Sequence, residues 1–162
     1  MTTREEIVAA ARELVGAKLF HQGRTAAGGV DCLGVILVAG EACGALPGGL
    51  VIPDYGRLPN PRRLVANMDA AAIRLTDHDA LSFEPAASPA RQAQGEFGDG
   101  DILGMAWGLK GAPMHLGIAA TFQGRRTIIQ ANPGLQRVTE AGFAGAWSSA
   151  FCVAWRFPNL VV

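Results

Sequence analysis

Apolar residues near the N-terminus recur with a helical period. Ile7, Val8, Ala11, Leu14 and Val15 fall on one face of a helix expected over 4–15. Thr3-Arg4-Glu5-Glu6 is a capping-box pattern, and Gly16 is placed to end the helix. Residues 17–30 read as a loop carrying Phe20-His21-Gln22-Gly23-Arg24. Residues 31–43 read as a second helix, apolar almost all round and therefore central, stopped by Gly44 and Pro47. Residues 45–60, with Pro47, Gly48, Gly49, Pro53, Pro59 and Asn60, read as irregular. Asn60 and Pro61 suit an N-cap and a first helical position, and Leu64, Val65, Met68, Ala71 and Ala72 give 61–74 a helical stripe. Residues 77–95, polar with Ala and Pro, read as a long surface connection.

The period then changes to two. A strand is expected over 101–107, after the turn Gly98-Asp99-Gly100. Two more, over 114–121 and 126–131, are joined at Gln123-Gly124. Pro133-Gly134 breaks the third of these. A short strand over 136–139, a helical turn over 140–147 and a last strand over 150–157 complete the chain. No repeat and no internal boundary stands out, so residues 1–162 read as one domain. Helices first and consecutive strands later predict an α+β fold with an antiparallel sheet.

Composition narrows the function classes. Lys plus Arg and Asp plus Glu are each 14, so the chain carries no net charge and lacks the footprint of a nucleic-acid binder. Three cysteines (Cys32, Cys43, Cys152) exclude a complete disulfide framework. No Cys-x-x-Cys, His-x-x-x-His or other short ligand pair occurs, so no metal is expected. No glycine-rich phosphate loop with a Lys-Ser/Thr ending occurs, and no cofactor is expected. No apolar run is long enough to span a membrane. The polar start Met1-Thr2-Thr3-Arg4-Glu5-Glu6 lacks a signal-peptide core, which predicts a product made in the cytoplasm.

The candidate chemistry centres on Asp31-Cys32-Leu33-Gly34. Cys32 falls at a helix start, where unpaired backbone N–H groups and the helix dipole favour a thiolate. On that ground Cys32 is expected to be alkylated at mildly acidic pH before Cys43 and Cys152. Asp31 suits the N-cap. The competing reading is a small buried hydrophobe, the usual fate of a free cysteine. His115 shares a strand face with the small residues Gly117, Ala119 and Thr121, a face another element can approach closely. Across a two-residue hairpin loop, paired residue numbers sum to an odd value, so His115 and Gln130 lie on the same face, opposite or diagonal. Cys32, His115 and Gln130 thus fit a nucleophile, a base and a group that orients the base.

Asp31-Cys32-Leu33-Gly34, Gly100-Asp101-Ile102-Leu103, His115-Leu116-Gly117-Ile118 and Gln130-Ala131 together resemble the NlpC/P60 family of cysteine peptidases in order and spacing. Phe20-His21-Gln22-Gly23-Arg24 and Tyr55-Gly56-Arg57-Leu58-Pro59 are similar to its phage branch, the tail-assembly or tail-tip peptidases of phages and gene transfer agents. The resemblance implies a papain-like α+β fold, with the nucleophile at a helix N-terminus packed on an antiparallel sheet. It implies hydrolysis of the bacterial peptidoglycan stem peptide, typically between D-glutamate and diaminopimelate, with phage tail-tip proteins as partners. Cys32 would be the nucleophile, His115 the general base and Gln130, where the family commonly has His, the orienter. Candidate substrate or oxyanion contacts are His21, Gln22 and Asp31, beside the Cys32 backbone N–H. Such an enzyme would travel in a tail assembly and act in the periplasm. Two other readings use the same fold: a structural tail-assembly protein that cuts nothing, and a cysteine amidase or acyltransferase on another substrate.

Overall fold

The computed structural model describes residues 1–50, 52, 55–57, 60–75, 97–106 and 113–161. Helix α1 spans Arg4–Arg12, followed by a short hairpin of β1 (Arg24–Thr25) and β2 (Gly29–Val30). Helix α2 spans Cys32–Ala42 and helix α3 spans Pro61–Ala71. The main sheet comprises β3 (Ile73–Arg74), β4 (Ile102–Met105), β5 (His115–Phe122), β6 (Arg125–Asn132), β7 (Arg137–Gly142) and β8 (Phe151–Arg156). A short helix α4, Ala146–Ala150, precedes β8. The six strands run in the order β3-β8-β4-β5-β6-β7, each neighbouring pair antiparallel. The expected α+β class with an antiparallel sheet is therefore the fold.

Local chemistry explains the helix starts. Thr3 and Glu6 form the reciprocal capping box of α1. Asp31 caps α2 by accepting from the Gly34 N–H, and Asn60 caps α3 by accepting from the Arg63 N–H, with Pro61 following. Helix α1 ends earlier than its apolar stripe suggested. Leu14 and Val15 turn back in three-residue steps onto the Ala11 and Arg12 carbonyls, which leaves Val15 exposed. The β5–β6 hairpin closes through Gln123 and Gly124, both at positive φ (50° and 74°), the two-residue turn that matches strand twist.

Two expectations are corrected at the sheet edges. The helix expected over 61–74 stops at Ala71, because Ile73 and Arg74 pair with Arg156 and Trp155 as the edge strand β3. Residues 140–147 are not a helical turn. Arg137–Gly142 is one strand paired along β6, and the helix comes later, at Ala146. Arg12 grips Glu140 through two hydrogen bonds (2.9 and 2.8 Å), and Thr127 donates to it at 2.7 Å, so tertiary partners override a weak strand sequence. The connection expected over 77–95 lies outside the described residues, as do residue 107 and most of the expected irregular segment around 51–59. No helix among the described residues is long and apolar enough to cross a membrane.

The sheet is buried on both faces. Leu116, Ile118, Ala120, Ile129 and Ala131 meet the apolar sides of α1 and α2, including Ile7, Ala11, Leu33 and Ile36. Leu103, Met105, Ala119, Ile128 and Ala154 form the second face with Phe97, Phe143 and Phe151. One charged group lies inside this frame. Asp101, with no exposed surface, accepts from Arg156 Nε and Nη2, both at 2.9 Å, and from the Gly98 N–H at 2.8 Å. Arg4 of α1 reaches the same carboxylate at 3.2 Å, which ties α1 to β4 and β8. Removing one partner of a buried pair strands the other. Asp101→Ala is therefore expected to cost about 3 kcal/mol in urea unfolding, and a loss below about 1 kcal/mol, the range of an exposed pair, would refute this role.

Candidate active site

The site is assembled at the start of α2. Asp31 is buried, and an ionised carboxylate there needs compensation. Its Oδ1 accepts from the Gly34 N–H (2.8 Å) and from Arg24 Nη1 (3.2 Å). Its Oδ2 accepts from the Gln22 N–H (2.7 Å) and the Tyr55 hydroxyl (2.6 Å). Arg24 Nη2 donates to the same hydroxyl at 2.7 Å, with its guanidinium over the Tyr55 ring, 5.6 Å from the centroid. Burial and then the bond to Asp31 push the Tyr55 hydroxyl pKa well above its ordinary value, so the hydroxyl stays a donor. His21 meets the Tyr55 ring edge-on at 5.5 Å, with Nδ1 4.0 Å from Asp31 Oδ2. Gln22 adopts left-handed backbone (φ 58°) and gives its side-chain amide to the Tyr55 carbonyl at 2.7 Å.

Close packing at Gly34 holds this loop against the helix. A Cβ there would lie 2.4 Å from the Gly23 carbonyl oxygen, so only glycine admits the loop backbone onto the first turn of α2. The residue before it, Leu33, is buried, and Cys32 at the helix start is half-buried.

Burial pushes the Cys32 thiol up to about 11, and the neighbouring Asp31 charge adds to the rise. Backbone N–H groups of Leu116, Leu33 and Cys32 itself pull the other way and do not prevail. This corrects the expectation of an easily ionised thiol. The helix start supplies its donors, but desolvation outweighs them. The bond to the Leu116 backbone also places the sulfur beside the start of β5, one residue from His115.

His115 is buried, directly across from Met105 of β4. Its Nε2 lies 2.8 Å from Gln130 Oε1, and Gln130, with no exposed surface, donates through Nε2 to Thr139 Oγ1 at 3.3 Å. The β5–β6 register pairs Ile118 with Ile129, so His115 and Gln130 share a face diagonally, as the parity argument requires. An amide oxygen only accepts, so Nε2 carries the proton and Nδ1 the lone pair. Burial lowers the His115 pKa, partly offset by the bond to Gln130, so the resting imidazole is neutral near pH 7. Trp147 covers the ring at 6.1 Å between centroids.

The small-residue face of β5 does not receive α2. The helix packs on the opposite face, at Leu116, Ile118 and Ala120. Gly117 instead makes room for Ile128 and Gln130, whose atoms would lie 2.7 and 3.1 Å from an added Cβ. Cys32 therefore meets β5 at the strand's start, through the Leu116 backbone, rather than across that face. A cavity of about 320 Å³ opens beside Cys32 and is lined on one side by His21, Asp31 and Tyr55. Gln22 is held by Asp31 and Tyr55, while His21 faces the cavity. Tyr55 and Arg24 are the principal members absent from the sequence-derived site. The buried Asp31 was their signal, since it had to find donors.

Comparison with solved structures gives the fold a name. The chain superposes on the NlpC/p60 domain of peptidoglycan hydrolase SagA with TM-score 0.54 and 18% identity, covering 94% of this chain and 97% of that one. This is the NlpC/P60 fold. A crystallised N-acetylmuramoyl-L-alanine amidase from Bacteroides uniformis superposes with TM-score 0.61 and 13% identity, covering 96% of this chain and 99% of that one. An NlpC/P60 family protein from Bacillus cereus gives TM-score 0.61 at 13% identity. The match spans 95% of this chain but 40% of that one. No family model matches the sequence, and no curated protein matches it either.

The state of the thiol is directly measurable. With Cys32 raised to about 11, the thiolate fraction grows about tenfold per pH unit below that value. Iodoacetamide labelling of Cys32, followed by peptide mass spectrometry, is expected to climb steeply from pH 7 to 10. Fast labelling, flat between pH 5 and 8, would instead identify a resting thiolate–imidazolium pair.

Proposed function

We propose that the protein is a cysteine peptidase that hydrolyses peptidoglycan stem peptides at the bond between D-glutamate and diaminopimelate. The observation that carries this reading is the meeting of the α2 start with the start of β5. There a half-buried thiol abuts the Leu116 backbone, and the adjacent His115 is held by Gln130. The fold shared with a peptidoglycan hydrolase domain and an N-acetylmuramoyl-L-alanine amidase supports the substrate class.

In the proposed mechanism both groups start neutral. Cys32 Sγ attacks the scissile carbonyl carbon as its proton passes to His115 Nδ1. Gln130 Oε1 stabilises the resulting imidazolium by accepting from His115 Nε2–H. The oxyanion is held by the Cys32 backbone N–H at the helix start, with His21 as the second donor. His115 then protonates the leaving amine, and the C–N bond breaks to leave a thioester. Water gives a proton to His115 and its hydroxyl to the thioester carbon, which releases the acid and restores the Cys32 thiol. Asp31 acts through position: it caps α2 and anchors the loop bearing His21.

The amidase neighbour favours one specific second reading, cleavage of the amide that joins muramic acid to the stem. We also propose a phage-tail or gene-transfer-agent setting, with synthesis in the cytoplasm and action in the periplasm. It rests on the Phe20–Arg24 and Tyr55–Pro59 motifs, and the mutual contacts of Gln22, Arg24 and Tyr55 are consistent with the two acting as a unit.

Purified sacculi incubated with the protein are expected to release muropeptides cut after D-glutamate, by mass spectrometry. Cys32→Ala is expected to abolish the release while keeping the thermal unfolding midpoint, and undiminished cleavage by that variant would sink the assignment. Products with a free muramic lactyl group would select the amidase reading. Gln130→Ala is expected to lower kcat by about 10- to 100-fold. The pH profile follows from the two shifts. His115 is depressed, so its neutral form persists below pH 6.5 and the acid limb of kcat/KM lies below that value. Cys32 is raised to about 11, so the rate holds through pH 9. A basic limb near pH 8 would contradict the neutral-pair start.

A further inference from the structure

The cavity beside Cys32 has a second wall that the reaction as described does not use. Its residues come from α3 and the segment just before it. Asn60, Arg63, Leu64 and Asn67 are spaced three, four and seven residues apart, one face of a helix, and all line the cavity. Arg57 joins them from the preceding segment.

The charges of the two walls differ in how they are satisfied. Asp31 is the carboxylate among the lining residues, and it already accepts from Arg24, Tyr55, Gln22 and Gly34. Arg57 and Arg63 pair with no carboxylate among the described residues. The first turn of α3 carries no acidic residue that would neutralise them. The unmatched charge in the cavity is therefore positive, in the same cavity that Cys32 lines. Leu33, Leu64 and Met114 add apolar lining suited to aliphatic side chains.

We propose that Arg57 and Arg63 bind a free carboxylate of the substrate next to the scissile bond, and so select acidic over amidated stem peptides. The inference rests on the peptidase reading above. Glutamate has two carboxyl groups. When one forms the scissile amide, the other remains as a carboxylate a few bonds from the carbonyl that Cys32 attacks. A guanidinium fork matches such a carboxylate through two parallel hydrogen bonds, and an uncharged amide loses both the charge and one acceptor. Asn60 and Asn67 offer amide groups for the adjoining peptide bonds.

The test uses the full-length Cys32→Ala protein, which binds without turnover. The probes are a synthetic stem tetrapeptide with a free glutamate carboxylate and the same peptide with that carboxylate amidated. Calorimetry is expected to show about tenfold tighter binding of the acid at low salt, with the preference shrinking as ionic strength rises. Arg57→Ala and Arg63→Ala in the same background are each expected to weaken binding of the acid and leave the amide nearly unchanged. Arg63→Lys should retain part of the preference. Both arginines are exposed, and unchanged thermal unfolding of each variant confirms that the fold is intact.

Equal binding of the two peptides, binding of neither, or a preference that survives in the double variant would overturn the proposal. Cleavage assays with the Cys32 protein separate its failure from that of the peptidase reading. Equal cleavage of both peptides refutes the carboxylate pocket and keeps the peptidase. A binding preference without cleavage keeps the pocket and removes the peptidase.

Discussion

The carboxylate of Asp31 is the constraint on which the rest of this site depends. A buried charge must be met by donors, and here four donors come from three separate pieces of chain: the first turn of α2, the 20–24 loop and Tyr55. One side chain thereby sets where the helix begins, how the preceding loop folds back and where the cavity wall stands. Cys32 inherits its position from this arrangement. It also inherits an electrostatic cost, because the same carboxylate opposes its ionisation. The residue that places Cys32 is thus one of the two reasons the sulfur rests as a thiol.

The sheet divides the remaining work between its faces. One face seats α1 and α2 and carries the larger core. The other holds His115 and Gln130 near an aromatic cluster of Phe97, Phe143 and Phe151, with Trp147 packed against that cluster and over the imidazole. The imidazole is thus oriented from the sheet face opposite the one on which α2 packs. Gln130 holds the imidazole rigidly, because it is itself fixed to Thr139 on the next strand.

Much of this was legible in the sequence where the physics is local. The caps at Thr3, Asp31 and Asn60, the turn at Gln123-Gly124 and the shared face of His115 and Gln130 follow from side-chain chemistry and strand period, and all are present. What escaped is tertiary. Ile73 and Arg74 look helical until β8 offers a ladder, and Thr139–Gly142 looks weak as a strand until Arg12 and Thr127 grip Glu140. The small residues on β5 do mark a close approach, but by Ile128 and Gln130 rather than by α2. Tyr55, 23 positions beyond Cys32, was visible only as part of a motif, because nothing in its neighbourhood announces Asp31 as its partner. Desolvation of the thiol depends on packing from several elements at once, and a helix-start argument sees one of them.

A neutral resting thiol also bears on oxidation. Thiolates attack peroxides and disulfides, so a thiol whose pKa lies well above the surrounding pH climbs the oxidation ladder slowly. Cys152 is shielded in the same way, since burial pushes it up to about 12. The Cys32 and Cys152 sulfurs are therefore both held in the protonated form, the one that oxidants reach slowly.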